Sequence, residues 1–263
     1  MKLRMFQVDA FTAERFRGNP AAVIPLQTWL SDELMQAIAA ENNLSETAFF
    51  VREADGAFHI RWFSPLTEID FCGHATLASA FVLLETGLAQ APLTFRAAAV
   101  GDLAVQRRAD GMLEMSFPNH APEPVAEPPA ALLQGLGCEP EAVLRSSQAW
   151  FAVYRDEREV RALAPDLDAL RTLAPLDVVV TAAGSEQDFV SRYFWPANGG
   201  DEDPVTGSIH AGLAPYWAER LGRNELVALQ ASKRSGILHC RVEADRVMVA
   251  GQAVLYLDGT IEL

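Results

Sequence analysis

The segment RWFSPLTEIDFCGHAT, Arg61 to Thr76, is answered later in the chain by RYFWPANGGDEDPVTGSI, Arg192 to Ile209. RWFSP and RYFWP stand 131 residues apart, whereas the turns Cys72-Gly73-His74-Ala75 and Thr206-Gly207-Ser208-Ile209 stand 134 apart, so the second copy carries three extra, NGG-like residues. Each copy ends a strand-like run and opens an apolar helix through a small-residue turn. Upstream the match continues more weakly: SDELMQAIAA precedes ETAFFV, as APDLDALRTL precedes LDVVVTA. A duplicated helix–strand–loop–helix unit accounts for both halves.

Working outward, Gly73 to Glu85 is apolar nearly all round, which predicts a helix enclosed by sheet, with Gly87 as its left-handed end. The second copy is expected to run from Gly207 to about Arg220 and to stop at Gly222, kinked or delayed by Pro215, which lacks a backbone N–H. Extended runs abound, among them FQVDAF, AAVIPL, AFHIRWF, LTFRA, LEMSF, WFAVYR, ILHCRVE and RVMVAG. Many strands with few helices predict an α+β fold of two pseudo-symmetric lobes, each a curved, mostly antiparallel sheet wrapped around a central helix. The proline-rich stretch PNHAPEPVAEPP (118–129) sets the lobe boundary: residues 1–117 form the first lobe and 118–253 the second.

Composition narrows the function. The 263 residues are 50% hydrophobic, enough for a sizeable core, and 35 acidic against 21 basic side chains give a net charge of −14, which disfavours phosphate-backbone binding. Nucleic acid is excluded as a partner on that ground. MKLRMFQVDAF lacks the apolar centre of a signal peptide and no run approaches spanning length, so the expectation is a cytoplasmic protein without membrane contact. Cys72, Cys138 and Cys240 have no CxxC spacing, and His59, His120, His210 and His239 show no HExxH pattern, so neither a disulfide framework nor a metal is expected. The absence of GxxxxGK[ST] and GxGxxG leaves nucleotide cofactors without an anchor.

The paired turns are the first candidate site. First-turn N–H groups lack intrahelical acceptors and the helix dipole adds positive charge, so Gly73 and Gly207, with Ser208 beside the latter, suit an anionic group. Each glycine alone reads first as a tight-turn residue; the matched pair favours ligand binding. Glu46 heads the apolar strand ETAFFV, sharing its face with Ala48 and Phe50, where a desolvated carboxyl can give and take protons near neutral pH. A solvated strand-entry glutamate is the competing reading. Asp203 precedes the second helix start, either as a partner for a substrate hydroxyl, an amine or His74, or as a helix-entry cap. His74 suits a neutral imidazole acting as a hydrogen-bond partner, or a satisfied structural histidine. Asp177 is the ungapped equivalent of Glu46. Cys72 corresponds to Thr206, a thiol against a hydroxyl, which argues against a two-thiol racemase and leaves Cys72 as buried filler.

The motifs VDAFTAERFRGNPAAV, NLSETAFF, RWFSPLTEIDFCGHATLASA, SRYFWPANGGDEDPVTGSIHAGLAPYW and QASKRSGIL together resemble the phenazine-biosynthesis PhzF-like proteins, of diaminopimelate-epimerase-like fold. The resemblance implies two similar lobes closing over a cleft, a homodimer, no cofactor, and acid–base catalysis by Glu46. It implies roles for Gly73 and His74 in GHAT, for Asp203, Gly207 and Ser208 in DPVTGS, and for Asn19 as a substrate contact. A last strand, 254–263, is expected to complete the first lobe. Two departures stand out: Arg234-Ser235-Gly236 where two glycines usually follow arginine, and Trp195 in the FWP turn. The expectation is a cofactor-independent isomerase that shifts a proton on a small carboxylate-bearing metabolite in the inter-lobe cleft. The rivals are a two-base amino-acid racemase or epimerase, using Glu46 with Asp203 or Cys72, and a non-catalytic binder of small anions.

Overall fold

In the computed structural model, which describes all of residues 1–263, the repeat extends to strand register. Strand Glu46–Arg52 runs parallel to Asn19–Leu26, Ala21 opposite Glu46, and antiparallel to Phe58–Phe63, Thr47 opposite Phe63. Strand Asp177–Ala183 repeats this: parallel to Ala149–Val153, Ala149 opposite Asp177, and antiparallel to Phe189–Trp195, Val178 opposite Phe194. Both central strands are buried on both faces, over Glu46–Phe50 and Val178–Ala182, so a one-residue slip would misplace packed side chains on each side. The chain divides into two units, Met1–Ser116 with Ala250–Leu263, and Phe117–Val249.

In the first unit the helix Gly73–Glu85 packs on strands Lys2–Ala10, Asn19–Leu26 and Glu46–Arg52. Its buried residues run from Gly73 through Ala80 and include Val82 and Leu83. Each buried leucine contributes about 1.5–3 kcal/mol. Thr86 closes the helix, donating its N–H to Val82, and Gly87 turns left-handed at φ 70° as expected. The strand Ala253–Glu262 pairs antiparallel with Lys2–Ala10, Ala10 opposite Ala253.

In each unit an arginine forks onto the hairpin that leads to the helix start. Arg61 donates from Nε and Nη2 to Glu68 at 2.7 and 2.6 Å, and Arg192 does the same to Glu202 at 2.8 and 3.0 Å. Bidentate pairing of this kind fixes orientation as well as distance. The three extra residues of the second copy close a turn under Trp195. Gly199 has φ 135°, and a Cβ on Gly200 would come within 2.9 Å of the Trp195 indole.

The second helix corrects one expectation. It spans His210–Leu221 rather than beginning at Gly207, because Gly207 to Ile209 form a tighter turn with bonds from His210 to Gly207 (3.2 Å) and from Ala211 to Ser208 (3.0 Å). Pro215 has no N–H for the Ala211 carbonyl four residues earlier. That carbonyl instead accepts the backbone N–H of His120 at 3.0 Å. Residues 118–129 are thus tied into the second unit: Glu123–Pro124 pairs with Arg145 and Leu144. Gly222, at φ 65°, ends the helix as expected.

His210 is fully buried beside Phe189, and its Nδ1–H donates to the Thr206 carbonyl at 2.9 Å. Burial pushes the imidazole down to about 4. Its folded value lies below the unfolded one of about 6.5, so its contribution is complete above pH 6.5 and is lost as pH falls toward 4. The loss amounts to about 3 kcal/mol. Denaturant unfolding at pH 7 and pH 4 should therefore show a larger drop for wild type than for His210→Asn, which keeps a donor for Thr206 without a titrating ring. Equal drops would refute the assignment.

Candidate active site

Glu46 is the first residue of its strand and is 3% exposed, inside the first unit. His74 Nε2 lies 3.1 Å from its Oε2. The contact has ion-pair distance but not hydrogen-bond alignment, since Oε2 accepts no hydrogen bond. A buried carboxylate oxygen left in that condition costs roughly 1–3 kcal/mol or more, which marks a place where the fold gives up stability.

His74 enters the first turn of the buried helix and is 5% exposed. Asn19, fully buried at the start of its strand, sets the ring's tautomer: its Nδ2 lies 3.0 Å from His74 Nδ1. An amide NH₂ can only donate, so Nδ1 accepts and the neutral ring carries its proton on Nε2, toward Glu46. The helix start has no side-chain cap and no acidic residue in its first turn. Gly18 precedes Asn19 at φ 63°, its α-carbon so close to the Ala10 carbonyl that a Cβ would sit 2.1 Å from the oxygen.

Cys72 is the N-cap of this helix, 6% exposed, with its sulfur 3.4 Å from His74 Nδ1. It therefore touches the imidazole as well as filling space. The ligand atoms of Glu46, Cys72 and His74 lie within 4.8 Å of one another, a spacing open to a thiophilic ion such as zinc. Asn19 opposes that use. Nε2 can ligate only if the ring proton moves to Nδ1, where it would face the Asn19 NH₂, and Nδ1 itself already accepts from that group.

The second unit carries its own group of polar residues. Asp203 is 9% exposed at the end of strand Gly200–Asp203, and its Oδ2 accepts a short hydrogen bond from the Thr206 hydroxyl. Gln230 straddles the turn, donating to the Asp203 carbonyl and accepting the Thr206 N–H, each at 2.8 Å. Thr206, the counterpart of Cys72, is thus committed to holding Asp203. Gly207 and Ser208 lie in the turn ahead of the helix, and Ser208 Oγ accepts from Gln148 Nε2 at 2.9 Å. Asp177 heads its strand as Glu46 does, but accepts from Tyr193 (2.5 Å) and Asn198 (2.7 Å). Burial pushes its carboxyl up, and these two hydrogen bonds pull it back in part.

Ser235 adopts φ 57°, a conformation glycine takes without strain, and its N–H is received by the Ser232 hydroxyl at 3.0 Å. Ser232 in turn donates to the carbonyl of Pro204, next to Asp203, at 2.7 Å. Gln148, Tyr193 and Gln230 were outside the sequence-based candidates. The one available signal was Tyr193 at the repeat position of Trp62, a buried aromatic whose hydroxyl demands a partner.

No helix of the chain is long and apolar enough to span a membrane. The chain is 50% identical over 263 residues to an uncharacterized isomerase of Pseudomonas aeruginosa, covering all of both chains. Its fold matches the crystal structure of a PhzF-family phenazine biosynthesis protein from Enterococcus faecalis with TM-score 0.94 and 43% identity, over the full length of each. A hydroxyproline epimerase from Agrobacterium vitis shares the fold alone, at TM-score 0.61 and 10% identity, over 99% of this chain and 92% of that one. The sequence profile of the PhzC-PhzF family, described as phenazine biosynthesis-like protein, matches residues 8–259, and the chain belongs to that family.

Proposed function

We propose that the protein is a cofactor-independent isomerase in which Glu46 takes a proton from one carbon of a small carboxylate-bearing metabolite and returns it to another carbon on the same face. The observation that carries this reading is the Glu46 oxygen, buried, without a hydrogen bond, and 3.1 Å from His74 Nε2. A carboxylate paired with arginine or lysine would be a poor base, while one facing a neutral imidazole keeps a lone pair for chemistry. The name of the Pseudomonas relative, an isomerase, agrees with the reaction class.

In this reading the uncapped helix start at Gly73 and the turn at Gly207 and Ser208 both serve the substrate carboxylate, in the cleft that the family resemblance implies. They offset the charge that develops as the proton leaves, at about 3 kcal/mol for each well-aimed donor. His74 Nε2–H steadies Glu46 or the developing anion, and Asn19 keeps that proton in place. Asp203, held at Oδ2 by the Thr206 hydroxyl, serves as an acceptor for a substrate N–H or O–H. The proposal includes a cytoplasmic homodimer.

The test is proton exchange. Small unsaturated and amino-bearing carboxylic acids incubated in D₂O with the full chain should include at least one that gains deuterium at carbon and moves its double bond or substituent, as read by ¹H NMR. Inversion at a single chiral carbon with no positional shift would overturn the one-base shift in favour of a two-base racemase. Ligands that stabilise the protein but stay unchanged after long incubation would overturn catalysis altogether.

A further inference from the structure

We propose that Asp177, Tyr193 and Gln148 form a hydrogen-bond relay that fixes the Ser208 hydroxyl as a donor, so that its turn favours an anionic oxygen over a neutral donor group. The inference rests on the reading of Ser208 as a substrate contact and adds the polarity of that contact. All four residues belong to the second unit.

The polarity follows from counting hydrogens. Asn198 Nδ2 donates to the Pro175 carbonyl at 3.1 Å and to Asp177 Oδ1 at 2.7 Å, so an acceptor must stand at Oδ1. Tyr193 Oη lies 2.5 Å from Asp177 Oδ2. With Asp177 ionised, the only hydrogen between them is the phenolic one, which Tyr193 therefore donates. Tyr193 Oη then offers Gln148 lone pairs alone. The Gln148 atom 3.1 Å away must be the amide nitrogen, whose second hydrogen goes to Ser208 Oγ at 2.9 Å. With that lone pair filled from behind, the Ser208 hydrogen points away from Gln148. An incoming carboxylate meets a preorganised donor, whereas an amide or ammonium hydrogen finds only the one lone pair that Gln148 leaves on Oγ.

Asp177→Asn reverses the relay without changing its shape. The anchored Asn198 requires the new amide oxygen at Oδ1, which turns the NH₂ toward Tyr193. Tyr193 must then donate to residue 148, whose amide flips its oxygen forward and draws the Ser208 hydrogen inward. Benzoate and its uncharged isostere benzamide, titrated by NMR against the full chain, read the result. Wild type should prefer benzoate. Asp177→Asn should lower that preference about tenfold, the effect of one hydrogen bond to a charged group, with benzamide binding undiminished.

In a Tyr193→Phe background, where the relay is cut, Asp177→Asn should make no difference to the ratio. Gln148→Met, at a half-buried position, removes both amide hydrogens and should lower the preference by a smaller factor. Equal losses for both probes, or an unchanged ratio in Asp177→Asn, would overturn the relay. So would a wild type that does not prefer benzoate. Carbon-proton exchange by wild type is read separately, so loss of the relay and loss of the Glu46 base remain distinguishable outcomes.

Discussion

Glu46→Gln is expected to lower turnover by about a thousandfold or more, the range for removing a positioned general base, while ligand affinity changes little. The glutamine keeps the shape and can set its amide oxygen where Oε2 stands, facing His74 Nε2–H, so the fold around it has no reason to rearrange. What it lacks is a lone pair basic enough to take a proton from carbon. The same change removes a charge from a site that is 3% exposed and has neither lysine nor arginine paired to it. Thermal stability should therefore hold or rise as activity falls. Deuterium incorporation followed by ¹H NMR and a melting curve on the same sample check both halves. Exchange at the wild-type rate would refute the base, and a sharp fall in stability would show that the carboxylate holds the fold rather than serving chemistry.

The opposite signs expected for activity and stability explain what was legible in the sequence. Repeats are visible at a fixed offset because both copies must satisfy the same register: Thr47 opposite Phe63 and Val178 opposite Phe194 follow the spacing of RWFSP and RYFWP. The enclosed helix was legible because its apolar residues leave no polar face. Strand Glu225–Gln230, ELVALQ, was not, since leucine, alanine, glutamate and glutamine favour helix and only its pairing with Gly236–Val242 and Phe189–Trp195 decides otherwise. The start of the second helix was not legible because Gly207-Ser208-Ile209 reads as a helical first turn, whereas His210 and Ala211 bond back three residues to Gly207 and Ser208. Within the site, Glu46 and His74 stood out by residue type and place. Their geometry did not, because the Asn19 contact spans 55 residues and depends on how strand Asn19–Leu26 enters the sheet. Gln148 was invisible for the same reason: a half-buried glutamine carries no pattern, and its role exists only through Tyr193 and Ser208.

That entry into the sheet hangs on Gly18, and Gly18→Ala is the other change with a large expected effect. At φ 63° an alanine takes on about 1–2 kcal/mol of left-handed strain. The new Cβ would also stand 2.1 Å from the Ala10 carbonyl oxygen and 2.7 Å from Thr12 Cγ2. A threonine methyl can turn aside, but Ala10 is backbone paired directly with Asn19 and has to move with its strand. Overpacking adds roughly 1–3 kcal/mol, for a total loss of about 2–5 kcal/mol. Relief by shifting strand Asn19–Leu26 would withdraw the Asn19 amide from His74 Nδ1, free the ring to change tautomer, and lower turnover by a further ten- to hundredfold. Gly56→Ala provides the comparison: its φ is 93°, but no atom lies within 4 Å of the new Cβ, so it should show the strain alone and full activity. Denaturant midpoints and turnover measured on the two variants side by side separate strain from contact. If Gly18→Ala were no more destabilising than Gly56→Ala and retained full activity, the close approach to Ala10 would not be what seats Asn19 against the imidazole.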